Sequence, residues 1–370
     1  MIGRKAAPED RSVTESPDLE MGGIDCDIHP AVPAMDALLP YLSGHWRDSV
    51  VQRGVHELNS IAYPLHAPLS ARPDWRSGNR RPASDLESVR CQALAPFGTR
   101  IAICNCLYGV HLLFSEDMAA AFARAVNDWI AREWLDREPR LRASIVVPLQ
   151  NSDMAVDEIE RRAADRRFVQ VLLPVMGEMP LGKRAYWPIY AAAERHDLPI
   201  CIHAGSAYHH PVTSVGWPSY YTEDYAAQSV AFQAQLTSLV CEGVFSKFPK
   251  LRVVLAESGI TWLPAYLWRL TKYWRGLRSE IPWTVASPNE IVRGNVRFTL
   301  QPVDAPTGDI FARILDHLGC DELMLFSTDY PHWQFDGDRV LPEALSGDLV
   351  QKIMLENPQR TYPRLEEAVQ

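Results

Sequence analysis

The sequence predicts an α/β fold, a (β/α)₈ TIM barrel with a long insertion after the first strand. Three observations predict it. Short apolar runs of strand length alternate with segments of helix length about eight times, the pattern of a parallel sheet with right-handed crossovers. The 370 residues suffice for two domains or for one barrel with insertions. Several strands stop at ionisable residues, and the carboxyl ends of barrel strands are where such folds keep their chemistry. A doubly wound open sheet is the competing architecture, but no glycine-rich phosphate loop follows any strand.

Residues 1–21 are polar and charged, with Pro8 and Pro17, and read as a flexible arm ahead of one barrel domain over 22–370. Gly22-Gly23 then leads into Ile24-Asp25-Cys26-Asp27-Ile28-His29-Pro30, a short alternating strand stopped by proline. Side-chain alternation puts Asp25, Asp27 and His29 on one face. Three ionisable groups there are costly to bury unless something binds them. A metal ion is the simplest such thing, and Asp-x-His supplies a hard and a borderline ligand; an edge strand with a wet face is the plainer reading.

Residues 31–98, rich in Pro, Arg, Trp and Gly, carry no barrel periodicity and read as a lid over the mouth. Strands follow at Arg100–Cys106, Leu141–Pro148, Phe168–Leu173, Leu198–His203, Leu251–Glu257, Asn295–Leu300 and Asp321–Thr328. Between them, helices are expected at Ser115–Asp136, Ser152–Arg166, Tyr186–His196, Tyr225–Phe245, Trp262–Arg278 and Asp309–Leu318, with a closing one at Asp348–Leu355. The loop 207–223, which also follows a strand, holds His209, His210, Trp217, Tyr220 and Tyr221.

Composition sets the outer bounds. Hydrophobic residues make up 47% and charged residues 22%, as in ordinary globular proteins, and the net charge of -9 argues against a nucleic-acid partner. Seven cysteines, an odd number without framework spacing, read as reduced thiols of a cytoplasmic protein. Cys104-x-Cys106 lacks a second pair and reads as packing rather than a metal site. No run spans a membrane and no signal-peptide core is evident, so neither membrane nor export is expected. The expected partner is a small-molecule substrate; a homo-oligomer is compatible with the sequence.

The strand ends then line up. Asp27 and His29 end the first strand, His203 the fifth and Glu257 the sixth, and Asp329 follows the eighth. A barrel brings all of them to one mouth. Singly, each has a plainer role, a core histidine or an acid at a helix start. Together they read as a metal site.

These residues carry a resemblance. Asp27-x-His29, His203-Ala204-Gly205, the stretch from Glu257-Ser258-Gly259 to Leu263-Pro264, Ser287-Pro288-Asn289-Glu290 and Thr328-Asp329-Tyr330-Pro331-His332-Trp333 resemble the amidohydrolase-related family of the amidohydrolase superfamily. That family includes decarboxylases of the aminocarboxymuconate semialdehyde and resorcylate types. The resemblance implies one divalent ion on Asp27, His29, His203 and Asp329, zinc first or manganese; the carboxylate-rich donor set would also suit iron. Two departures stand out. Asp27 replaces the first His of a common His-x-His motif, and Glu257 stands where a catalytic His often ends the sixth strand. Glu257 is then a proton carrier, if burial raises its pKa, or a further ligand.

The chemistry expected first is hydrolysis of a small ester, amide or organic acid derivative by metal-activated water. Nonoxidative decarboxylation is the alternative, and a non-haem iron, even diiron, oxygenase is a second alternative. Asp329, Glu257 and His332 are the catalytic candidates. His209, His210, Trp217, Tyr220 and Trp333 are the candidates for substrate contact.

Overall fold

The structure, a computed structural model, describes residues 22–61, 70–76, 78, 80–205, 209–333, 341–343 and 345–368. The expected N-terminal arm lies outside the described residues, as do parts of the insertion and of both mouth loops.

Eight parallel strands run in sequence order through one sheet: β1 Ile24–Ile28, β2 Ile101–Cys104, β3 Leu141–Val146, β4 Phe168–Pro174, β5 Ile200–His203, β6 Val253–Ala256, β7 Val296–Thr299 and β8 Met324–Leu325. The sheet closes on itself. Cys26 donates its N–H to the Phe326 carbonyl at 2.9 Å, Asp329 to Asp27 at 3.1 Å and His29 to Tyr330 at 2.7 Å. The fold is therefore the (β/α)₈ barrel that the alternation predicts. A buried cluster of Ile24, Cys26, Ile101, Ile103, Val169, Val254 and Leu325 packs with Tyr362 and Leu365 of the C-terminal segment. Arg364 pins that segment by donating to the carbonyls of Phe168 and His196, both 3.0 Å away. This apolar plug fills the floor of the barrel and leaves its polar strand ends at the other face.

Elements differ from expectation in instructive ways. β8 keeps ladder geometry only over Met324–Leu325, because the chain beyond it turns to form the site. The helix expected over 115–136 is Glu116–Ile130, capped by Ser115 Oγ and continued by a π-helical turn at Ala131–Leu135. The expected 225–245 helix begins earlier, at Tyr221, and ends at Cys241. The insertion contains helices that periodicity does not reveal, Gly44–Gln52 and Leu86–Val89. Pro288–Asn295 is also a helix, closed by a Ser287–Glu290 capping box.

Asp25, Asp27 and His29 are all buried, but they do not share one environment. The register of β1 against β2 shifts between Asp25 and Ile28. Asp25 is taken up by the closure: its carboxylate accepts the Thr328 N–H at 3.0 Å, the Thr328 hydroxyl at 2.6 Å and the Asp27 N–H at 3.2 Å. Burial pushes that carboxyl up to about 7 despite those donors.

Candidate metal centre

At the C-terminal mouth, Asp27, His29, His203 and Glu257 bring one ligand atom each within 4.8 Å of one another. His29, Glu257, Asp329 and His332 form a second such quartet, sharing His29 and Glu257 with the first. All six side chains are buried. They come from the ends of β1, β5 and β6 and from the chain beyond β8, so the barrel's closure assembles them.

The backbone bends to place two of them. Glu257 and Asp329 both sit at φ +57°, a region that residues other than glycine seldom occupy. Such a conformation costs on the order of 1–3 kcal/mol and is found where function holds it. Glu257 N–H donates to Thr299 Oγ1 at 3.0 Å, which secures the turn from β7.

The histidines are oriented from behind. His29 Nδ1 donates to the Asn105 carbonyl at 3.0 Å, and His203 Nδ1 to the Ala204 carbonyl at 2.8 Å. Both rings therefore present Nε2 to the centre. His29 Nε2 lies 2.8 Å from Asp329 Oδ1 and 3.3 Å from Asp27 Oδ1. His203 Nε2 lies 3.5 Å from Asp27 Oδ2 and 3.5 Å from Glu257 Oε1. His332 Nδ1 sits between Asp329 Oδ1 at 2.7 Å and Glu257 Oε1 at 2.9 Å, and its ring stacks on His29 with centroids 4.4 Å apart.

Electrostatics follow from three buried carboxylates facing three imidazoles. Burial alone would lower the histidines, but Asp27 above all raises His29, Glu257 and Asp27 raise His203, and Asp329 lifts His332 to about 9. Among the acids, burial and the neighbouring Glu257 charge raise Asp329 to about 6. Burial acts on Glu257 in the same direction, but His203 and His332 outweigh it and hold Glu257 well below its ordinary range. The raised carboxyl expected at Glu257 is thus found at Asp329. Asp27 is also held low, with His29 and His203 overcoming burial.

The donor set fits a divalent cation. His203 Nε2, Asp27 Oδ2 and Asp329 Oδ2 are buried without a hydrogen-bond partner, an arrangement that costs free energy unless a cation meets them. Three carboxylates draw positive charge to one point, and a metal ion supplies it in place of imidazole protons.

The remaining candidates lie elsewhere. His209 and His210 line a neighbouring cavity of about 260 Å³ with His111, Gln150 and Glu178. Trp217, Tyr220 and Trp333 are exposed, at 58%, 72% and 42%. The cavity that touches His29 and His332 is lined instead by insertion residues, among them Val32, Ser60, Ser70 and Arg81, together with Leu107 and Tyr108. Arg81 carries no periodicity signal and went unrecognised in the sequence. Asn105, Ser144 and Gln170 did too, although Asn105 follows and Gln170 lies within an otherwise apolar strand.

The profile of the family described as "Amidohydrolase" matches residues 24–364. Gamma-resorcylate decarboxylase of Rhodococcus jostii is 28% identical over 268 residues, covering 67% of this chain and 78% of that protein. An amidohydrolase of Mycobacterium avium subsp. paratuberculosis superposes with a TM-score of 0.70 at 20% identity, over 92% of this chain and 98% of that one. A dihydroxybenzoic acid decarboxylase of Polaromonas sp. JS666, solved with bound manganese and 2-nitroresorcinol, gives 0.64 at 18% identity, over 92% and 97% of the two chains. The chain belongs to the amidohydrolase family and is an enzyme of that superfamily.

Proposed function

We propose that the enzyme is a metal-dependent carboxy-lyase that nonoxidatively decarboxylates a small aromatic acid with a hydroxyl beside the carboxylate. The observation that carries this reading is the buried cluster of unpartnered donors, His203 Nε2, Asp27 Oδ2 and Asp329 Oδ2. Its relatives are named for decarboxylation of such acids, which moves decarboxylation ahead of the hydrolysis expected first from the sequence.

Asp27, His29, His203 and Asp329 would hold the ion, with Glu257 beside them. A bound divalent ion supplies Lewis-acid charge for the substrate's carboxylate and hydroxyl oxygens. Manganese, present in the Polaromonas structure, joins zinc as the ion to test first. Asp329 delivers its carboxyl proton to the ring carbon that bears the carboxylate. The carbon–carbon bond then breaks, its electron pair returns to the ring, and CO₂ leaves. Glu257 stays ionised and holds His332 protonated beside it as a fixed cation. Val32, Leu107 and Tyr108 give the adjoining cavity walls suited to a ring, and Arg81 adds a cation at its edge. His209, His210, Trp217, Tyr220 and Trp333 are assigned only to outer substrate contacts.

Hydrolysis is a second reading, favoured by the carboxylate Glu257, which is held ionised and able to accept a proton from water. A panel separates the two. The chain loaded with manganese or zinc is offered hydroxybenzoates, aryl esters, lactones and thioesters, with CO₂ and acid release recorded. CO₂ from ortho-hydroxybenzoates supports the lyase, and acid from esters or thioesters alone overturns it. Two irons per chain with oxygen uptake would favour an oxygenase.

A further inference from the structure

We infer that Asn105 is a positioning residue that sets the orientation of two metal ligands at once, and that a buried polar relay of Ser144 and Gln170 locks it. The inference rests on the metal-site reading above. Asn105 follows β2, and its backbone N–H donates to the Ile28 carbonyl at 2.7 Å, which fixes it beside the end of β1. Its side-chain amide Nδ2 donates to Asp27 Oδ1 at 2.7 Å, and its main-chain carbonyl accepts from His29 Nδ1 at 3.0 Å. One residue thereby turns Asp27 Oδ2 and His29 Nε2 toward the centre.

The amide has two orientations, and only one serves. If the oxygen faced Asp27, two acceptors would meet. The relay excludes that orientation. Asn105 Oδ1 accepts from the Ser144 hydroxyl and from Gln170 Nε2 at 3.1 Å, and Gln170 Nε2 also donates to Ser144 Oγ at 2.9 Å. All three side chains are buried, Asn105 and Gln170 completely. Burying this much polar surface in the middle strands of a barrel is unfavourable, the more so because Gln170 Oε1 is buried without a hydrogen-bond partner. Fold stability alone is served better by apolar residues at 144 and 170, so the relay is explained by what it orients. Neither Ser144 nor Gln170 hydrogen-bonds a ligand side chain itself, so their effect on the ion passes through Asn105.

Substitution of a residue behind a ligand costs about 10- to 100-fold in metal affinity. The test is titration of the metal-stripped full-length chain with Co(II), reading affinity and the visible absorption of the bound ion, with thermal melting of the apo chain as a folding control. Asn105→Ala is expected to weaken binding about 10- to 100-fold and to change the Co(II) spectrum. Gln170→Leu, which fills its space, is expected to weaken it less and to add nothing in the Asn105→Ala background. If Asn105→Ala does not fold, Gln170→Leu alone decides. A Gln170→Leu chain with wild-type affinity and spectrum overturns the relay, and an Asn105→Ala chain of that kind overturns the role of the amide in positioning Asp27, the His29 contact being to the main chain. Asp27→Ala separates the underlying reading. Wild-type affinity there, or no binding by the wild type, removes the metal site and this inference with it. Loss of binding in Asp27→Ala with no change in the Asn105 variant removes the inference alone.

Discussion

At the scale of single residues, the site divides its acids by environment. Asp329 and Glu257 are both buried beside His332, yet one carboxyl is raised to about 6 and the other is held well below its ordinary range. Divergent neighbours of this kind assign acid and base roles. Asp329→Asn keeps the size and removes the proton carrier, so steady-state turnover should fall by about 10²- to 10⁴-fold. The pH profile gives the sign. As a proton donor Asp329 must be protonated, so turnover of the metal-loaded enzyme falls as pH rises through the titration of its carboxyl, whereas a base at Asp329 would lose turnover as pH falls through it. Glu257→Gln removes the ionised carboxylate beside His332. Turnover should fall while most metal is retained, as elemental analysis would record; loss of stoichiometric metal would make Glu257 a ligand instead. Asp27, His29, His203 and Glu257 were legible because each ends a strand in an ionisable residue. Which acid is raised was not, since that depends on which imidazoles lie across the barrel.

At the scale of elements, the strands were easier to read than the helices of the insertion. Buried parallel strands are near-continuous apolar runs, and β4 and β5 show them. Gly44–Gln52 buries only Val50, so it has no apolar stripe to announce it. Ser287-Pro288-Asn289-Glu290, by contrast, carried a capping box and an early proline, the chemistry of a helix start. β8 is shorter than its apolar run because Thr328 and Asp329 leave the ladder to bond across the closure to Asp25 and Asp27. The Asp25–Thr328 latch has a measurable consequence. Thr328→Val leaves Asp25 Oδ2 without its hydroxyl donor and should cost about 1–3 kcal/mol in urea unfolding. Asp25 also makes stability depend on pH. Its folded carboxyl is raised from 3.8 to about 7, so the stability of the protonated form is present below 3.8 and lost as pH rises through about 7. Asp25→Asn should flatten that dependence, and an unchanged pH profile would remove Asp25 as its source.

At the scale of the whole molecule, barrel closure is what makes a site from residues 300 positions apart, as in the His29–Asp329 contact. Sequence spacing could place the strand ends on one mouth because every parallel strand points its carboxyl end the same way. It could not reveal that insertion residues such as Arg81, rather than Trp217 or Tyr220, line the cavity against His29 and His332. Contacts between an aperiodic insertion and the barrel leave no pattern along the chain. The central claim, carbon–carbon cleavage by a metal centre at this mouth, is tested most directly by proton NMR of the metal-loaded enzyme with 2,6-dihydroxybenzoate in D₂O. The account predicts CO₂ release and one deuterium at the ring carbon that carried the carboxylate, with neither in His203→Ala. The contrary result is an untouched carboxylate under conditions where the same preparation hydrolyses an ester, or equal deuteration by His203→Ala.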